Sequence, residues 1–325
     1  LGTRLSAWKI AVKAGYRLHL GFYRYLDSGI AYGSMGIALE EPYLELKLTA
    51  PSDDGKLNLK VPTDEAREAV VAVARSLGLA SGILEISGYL KHHVGLGSLT
   101  RIYLATAIAS SITLRITDLN LEELLIKLGR CRYSCVGYYT LVYGGLAVDT
   151  GVKLSDGGIP KPLALIKFPR YWYVVLAIPE GKGLKESEER NFMDNPISVD
   201  EQSELYKALV ELMAGAKLER LDLFVRGVEF IQRVAGKYFS QAQGGFFSNP
   251  YGDLVAKVMN ENGLRGVGQS SWGPTIYGFT DNYAVAEATR RAILSSLNRA
   301  GVSCDAWVSR VSELGYTIQI SSFRI

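Results

Sequence analysis

Strand-like and helical segments alternate along the 325 residues with antiparallel returns, and this succession predicts an α+β protein built as two domains. Three observations carry the prediction. The chain is longer than one hydrophobic core ordinarily organises. Apolar residues recur with period two over residues 10–48 and with helical spacing over residues 66–77 and again from residue 199 onward. The segment Asp156-Gly-Gly-Ile-Pro-Lys-Pro162 is the clearest linker in the chain and places the boundary so that the domains are 1–160 and 161–325.

Residues 10–48 read as strands around the glycine-rich stretch Asp27-Ser-Gly-Ile-Ala-Tyr-Gly-Ser-Met-Gly36. Thr63 before Asp64-Glu65 has the signature of an N-cap, and Ala66, Val70, Val71, Val73, Ala74 and Leu77 form an apolar face that closes at Gly78. A strand over 83–90 leads through a glycine turn into a helix over 99–111, and a second short helix follows over 119–128. Residues 136–152 return to β character around Gly144-Gly145. Beyond the linker the pattern predicts a strand over 172–178 and a polar loop over 180–194. Helical periodicity over 199–238 is broken near Gly215, with further helices over 252–262 and 284–299. Residues 275–280, 304–311 and 316–322 read as extended. No internal repeat or low-complexity tract is visible.

Composition excludes several function classes. Thirty-six Lys and Arg against 33 Asp and Glu leave +3, with neither half strongly basic, so no nucleic-acid platform is expected. An anion must then be held by backbone donors and a few placed cations. The longest nearly apolar stretch, residues 102–114, is too short to span a bilayer, and no signal-peptide pattern opens the chain, so a cytoplasmic protein without a membrane partner is expected. Cys131, Cys135 and Cys304 are few and odd in number, which fits free thiols in a reducing compartment better than a disulfide framework. With only His19, His92 and His93 besides, a structural zinc site is not expected.

Four segments can carry chemistry. In His93-Val-Gly-Leu-Gly-Ser98, Gly95 and Gly97 allow a tight turn with inward amides and Ser98 can cap the following helix, whose N-terminus suits a phosphate; an ordinary capped turn has the same pattern. No Lys follows the last glycine, so this is not a Walker loop. In Gly266-Val-Gly-Gln-Ser-Ser-Trp-Gly-Pro-Thr275, small residues and hydroxyls gather around Trp272, either as a concave binding surface or as packing at the domain seam. Arg17 and His19 share a strand face and can address one ligand, with Arg24 and Tyr32 nearby; a strand histidine is also commonly structural. Asp149, between Gly144-Gly145 and Gly151 and preceded by Arg130, Arg132 and Ser134, either orients a ligand or closes a turn.

Taken in order, Arg17-Leu-His-Leu-Gly21, Tyr32-Gly-Ser-Met-Gly-Ile-Ala-Leu39, the 93–98 turn, Gly144-Gly-Leu-Ala-Val-Asp149 and Ser270-Ser-Trp-Gly-Pro-Thr-Ile-Tyr277 resemble the β-ribofuranosylaminobenzene 5'-phosphate synthase family, a branch of the GHMP kinase superfamily. The resemblance spans nearly the whole chain. It implies an N-terminal domain like ribosomal protein S5 domain 2, a ferredoxin-like C-terminal domain, and an active site between them. It also implies an archaeal, homodimeric, magnesium-assisted transferase of methanopterin biosynthesis, in which 4-aminobenzoate or a related aromatic acid attacks phosphoribosyl diphosphate with loss of CO2 and diphosphate.

On that resemblance His19, His93 and Asp149 are the candidate catalytic residues, with metal ligands unassigned. The candidate substrate-binding residues are Arg17, Arg24, Tyr32, Gly95, Leu96, Gly97, Ser98, Leu99 and Thr100, together with Ser270, Ser271, Trp272, Gly273 and Thr275. The 95–100 and 268–275 loops are the expected phosphate cradles. Two departures bear on the acceptor: Leu99-Thr100-Arg101 stands where the family continues Gly-Thr-Gln, and Ser134-Cys-Val-Gly137 stands for Ser-Gly-Ile-Gly. Two other functions remain open on the same fold, an ATP-dependent small-molecule kinase and a noncatalytic metabolite-binding protein.

Overall fold

The computed structural model describes residues 6–24, 32–90, 93–152, 158–181 and 200–324. Two long strands, β1 (Ser6–Tyr23) and β2 (Gly33–Ala50), pair antiparallel and form the spine of the first sheet. Their inward positions, among them Ile10, Val12, Leu18, Leu44, Leu46 and Leu48, are buried, as the period-two pattern requires. The sheet adds β3 (Leu57–Lys60) and β4 (Gly82–Ser87) on one side. Helix α1 (Asp64–Leu77) begins where Thr63 Oγ1 accepts the Ala66 amide and ends at Gly78 in the left-handed region, so both expected caps are formed.

Helices α2 (Ser98–Leu114), α3 (Leu121–Lys127) and α4 (Val136–Tyr143) follow, and α2 and α4 pack on β1 and β2. Residues 136–143 had read as β on their aromatic and β-branched content. They are helical because residues 136–141 are all buried and the start is fixed by the Cys135 amide, which donates to Asp149 at 2.8 Å; tertiary packing overrides local propensity. Strand β5 (Leu146–Asp149) then pairs with β2 and with β6 (Pro162–Ile166). The expected boundary at 160 falls in the connection between β5 and β6, which pair with each other; of the 156–162 linker, residues 156 and 157 lie outside the described residues.

The second sheet has the order β10 (Cys304–Ser309), β7 (Tyr173–Pro179), β9 (Ile276–Thr280), β8 (Arg265–Gln269) and is antiparallel throughout. It carries helices α5 (Gln202–Lys217), α6 (Leu221–Gln243), α7 (Gly252–Glu261) and α8 (Tyr283–Arg299). The break between α5 and α6 comes at residues 218–220, just after the glycine that marked it. Strand β11 (Tyr316–Arg324) leaves this half and pairs with β1, so the chain's last strand completes the first sheet. Helix α6 also spans the two halves: Gln232 donates to the Leu20 carbonyl at 2.9 Å and accepts the Gln269 amide at 2.8 Å. A continuous apolar core joins both halves, with residues such as Leu18, Trp172, Phe224 and Phe279 in one cluster. Among the described residues no helix is long and apolar enough to cross a membrane.

Candidate active site

A cavity of about 250 Å³ opens where β1, the start of α2, the segment before α4, and α6 meet. Its polar side is built on β1. Arg17 and His19 stand on one strand face, and both line the cavity. Arg17 Nη1 donates to the Gly95 carbonyl at 3.1 Å and its backbone amide to the Leu96 carbonyl at 3.1 Å, which fastens the glycine turn to the strand. His19 Nδ1 accepts the Gly21 amide at 3.2 Å, so its ring hydrogen sits on Nε2. Burial, with Arg17 alongside, holds its pKa well below the usual histidine value. His19 is therefore a neutral hydrogen-bond donor at neutral pH.

The glycine turn has the conformation its sequence requires. Gly95 and Gly97 have φ of +82° and +72°, a region L side chains rarely adopt. At Gly95 a Cβ would also lie 2.1 Å from the Ser270 carbonyl oxygen, so close approach of the second loop demands glycine there. Gly97 is the N-cap of α2 and no side chain caps that helix; Ser98 is its first residue, not its cap. The first backbone bond closing the helix runs from the Arg101 amide to the Gly97 carbonyl, which leaves the amides of 98–100 at the end of a 17-residue helix beside the cavity. Gly95, Gly97, Ser98, Leu99 and the exposed His93 all line it. His92 lies outside the described residues.

The 268–275 segment plays a different part from the second phosphate cradle expected of it. Residues 265–269 are strand β8, and the loop after it is a clasp on the glycine turn. Ser270 Oγ donates to the Gly95 carbonyl at 2.7 Å and accepts the His19 amide at 2.9 Å, while Thr275 Oγ1 donates to the Val94 carbonyl. Ser270 and Thr275 are fully buried, and neither they nor Gly273 line the cavity. Ser271 and Trp272 do, with Trp272 only 6% exposed and its ring centroid 4.2 Å from that of Phe239. Trp272 thus both packs the seam and presents an edge to the cavity.

Asp149 is likewise a positioning group. It is fully buried and absent from the cavity wall. Its carboxylate accepts from the Ser34 amide at 2.9 Å, Ser34 Oγ at 2.8 Å, the Cys135 amide at 2.8 Å and the Gly151 amide at 3.1 Å. Burial nevertheless pushes its pKa up to about 6, the four donors opposing the shift. Ser34 and Ser134, whose hydroxyl oxygens are 2.6 Å apart, transmit this anchor to the cavity wall. Among the other candidates, Leu96 is buried beneath the turn, Thr100 accepts from Arg130 at 3.3 Å, Arg24 accepts from Tyr206 through its carbonyl, and none of the three lines the cavity. Tyr32 does line it and shares a 2.5 Å hydroxyl contact with Tyr238.

Sequence reasoning missed several wall residues. Phe22, Ala235, Gly236, Phe239, Gln243 and Phe246 line the apolar side; the α6 members sit on a helix whose ordinary amphipathic pattern does not distinguish a core face from a cavity face. Arg130, Arg132 and Ser134, which the sequence set before Asp149 without assigning them to the site, line the polar side. Arg101, the departure that suggested a changed ligand, is fully buried away from the cavity. It donates to the carbonyls of Gly15 and Gly137 and to Thr140 Oγ1, and burial brings its pKa down to about 9. Leu99 is the departure that touches the ligand space. The expectation of free thiols is corrected as well, because Cys131 and Cys135 form a disulfide with a Cα separation of 4.6 Å.

The wall therefore carries three arginines, helix-terminal amides and six aromatic side chains (Phe22, Tyr32, Tyr133, Phe239, Phe246 and Trp272), and no aspartate or glutamate among the described residues. That donor set does not fit a magnesium ion held by protein carboxylates, and no group of three His, Cys, Asp or Glu among the described residues is placed to hold a metal. Anionic charge on a ligand meets guanidinium groups here.

No protein-family model matches the chain. It is 29% identical over 304 residues to the β-ribofuranosylphenol 5'-phosphate synthase of Archaeoglobus fulgidus, covering 89% of this chain and 92% of that protein. It is 28% identical over 286 residues to the protein of that name from Methanothermobacter thermautotrophicus, covering 78% and 83%. Among solved structures, homoserine kinase from Cytophaga hutchinsonii superposes with a TM-score of 0.69 at 18% identity over 96% of this chain and 97% of the kinase. A mevalonate kinase gives 0.62 at 16% identity over 93% and 98%. The chain has the GHMP kinase-like fold, and in sequence it is a relative of the β-ribofuranosylphenol 5'-phosphate synthases.

Proposed function

We propose that this chain is a decarboxylating phosphoribosyltransferase that joins phosphoribosyl diphosphate to an aromatic acid, 4-aminobenzoate or its hydroxyl counterpart. The carrying observation is a cavity whose wall brings together three arginines, the first turn of α2 and six aromatic side chains, with no carboxylate among the described residues. The relatives' name supports the ribosyl transfer and, by naming a phenol, favours a hydroxylated acceptor.

In the reaction the anomeric C–O bond to diphosphate breaks and the ring carbon bearing the carboxylate bonds to the anomeric carbon. The electrons of the C–CO2 bond then restore aromaticity as CO2 leaves. Arg17 and the 95–98 turn receive the charge developing on the departing diphosphate, fixed donors that need no reorganisation. The neutral His19 Nε2–H orients an oxygen of the ribose or leaving group. Phe239, Trp272 and Phe246 offer the arene aromatic faces beside the ribosyl site. Calorimetry tests the reading: phosphoribosyl diphosphate binds and then promotes binding of the aromatic acid, whereas ATP binding with phosphoryl transfer to a hydroxylated metabolite overturns it.

A further inference from the structure

We propose that residues 131–135, closed into a loop by the Cys131–Cys135 disulfide, form with the adjoining Arg130 the second wall of the anion site and present Arg132 to a polyphosphate seated on residues 95–98 only while that disulfide is intact. The inference rests on the polyphosphate reading of the cavity and names a redox control on it. The loop lies against the first turn of α2: Arg130 Nη2 donates to Thr100 Oγ1 at 3.3 Å, and Arg130, Cys131, Arg132 and Ser134 line the same cavity as Gly97 and Ser98. Its two ends are tied to the fold independently. The Arg130 amide donates to the Leu125 carbonyl at 2.8 Å, and at the other end Ser134 meets Ser34 while the Cys135 amide donates to Asp149.

Between these anchors Cys131 has φ of +59°, a left-handed conformation uncommon for a non-glycine residue, and the cross-link to Cys135 holds its side chain there. A dithiol reductant delivers two electrons and two protons to the sulfur pair and becomes a cyclic disulfide itself. Cys135 stays anchored by Asp149 and Arg130 by Leu125 and Thr100, whereas Cys131 is released to relax its backbone and carries Arg132, inside the cross-linked ring, off the wall. Because Cys131 lines the cavity, a seated anion covers the bond that holds its own site together.

The probe is inorganic diphosphate, titrated calorimetrically into the oxidised full chain, the chain reduced with dithiothreitol, the reoxidised chain, a Cys131→Ser/Cys135→Ser variant and an Arg130→Gln/Arg132→Gln variant. Loss of the Arg132 charge-assisted contact predicts weakening on the order of ten-fold upon reduction, with recovery on reoxidation. The serine variant should match the reduced chain, and reduction should make no further difference in the glutamine variant. Diphosphate should also slow release of the thiols. Equal affinity in oxidised and reduced protein of unchanged thermal unfolding overturns the proposal, as does full affinity in the glutamine variant, which decides the matter if reduced protein unfolds. Either result leaves the ribosyl-transfer reading standing, while no diphosphate binding by the oxidised chain overturns both.

Discussion

Gly95→Ala probes the joint on which the cavity depends. The new Cβ would stand 2.1 Å from the Ser270 carbonyl oxygen and 3.1 Å from its carbon, both backbone atoms of the second half, and the φ of +82° is itself unfavourable for alanine. The left-handed conformation costs about 1 kcal/mol. Relief of the clash must part the loops and give up the bonds from Ser270 Oγ to Gly95 and from Thr275 Oγ1 to Val94, worth about 1 kcal/mol each, so the loss totals roughly 3 kcal/mol. Gly97→Ala meets only ordinary contact, the Arg17 guanidinium carbon at 3.6 Å, and should cost about 1 kcal/mol of stability from φ alone. It places its methyl beside the anion-binding arginine, so it should weaken diphosphate binding more than it weakens the fold. Urea denaturation of both variants, with calorimetric titration of diphosphate, reads the contrast. A Gly95→Ala protein as stable as the parent would refute the clasp.

Replacing Arg101 by Met leaves two carbonyls and Thr140 without their donor in the core, and should cost about 3 kcal/mol in urea while diphosphate affinity of the folded fraction is kept. Trp272→Ala removes a buried ring packed on Phe239, so it should cost about 3 kcal/mol of stability and weaken the aromatic acid more than diphosphate in calorimetry. Asp149 has a folded pKa of about 6, above its unfolded value, so the folded protein holds that proton more tightly and its contribution to stability grows as pH falls through the window between about 6 and 4. Urea midpoints across that window should show this slope in the parent and lose it in Asp149→Asn. Because the His19 pKa is held well below the ordinary histidine value, the rate between about pH 6 and 8 should carry no His19 titration, and His19→Gln should lower kcat without reshaping the profile there.

The sequence disclosed what local chemistry controls. Thr63, Gly78 and the alternation in β1 and β2 state their structure directly, and the 93–98 turn could be placed before a helix because glycines at 95 and 97 leave few other conformations. Long-range placement was not legible. Nothing local says that Ser270 and Thr275 point at the glycine turn rather than at a ligand, or that Asp149 would be surrounded by four donors brought from three segments. Arg101 stood out because it replaces the neutral amide the family carries there, yet two residues beyond the cavity-lining Leu99 a helix has turned by about 200°, which sends its side chain into the core. The helix over 136–143 and the wall contributed by α6 were hidden for the same reason, since burial and cavity-facing are properties of the assembled fold.

The central claim is tested most directly by incubating the oxidised protein with phosphoribosyl diphosphate and carboxyl-labelled 4-aminobenzoate or 4-hydroxybenzoate and trapping the gas. Stoichiometric release of labelled CO2 with one diphosphate per turnover, abolished in Arg17→Gln, is the predicted result. Label retained in the acid while ATP is consumed on a hydroxylated metabolite would contradict the account.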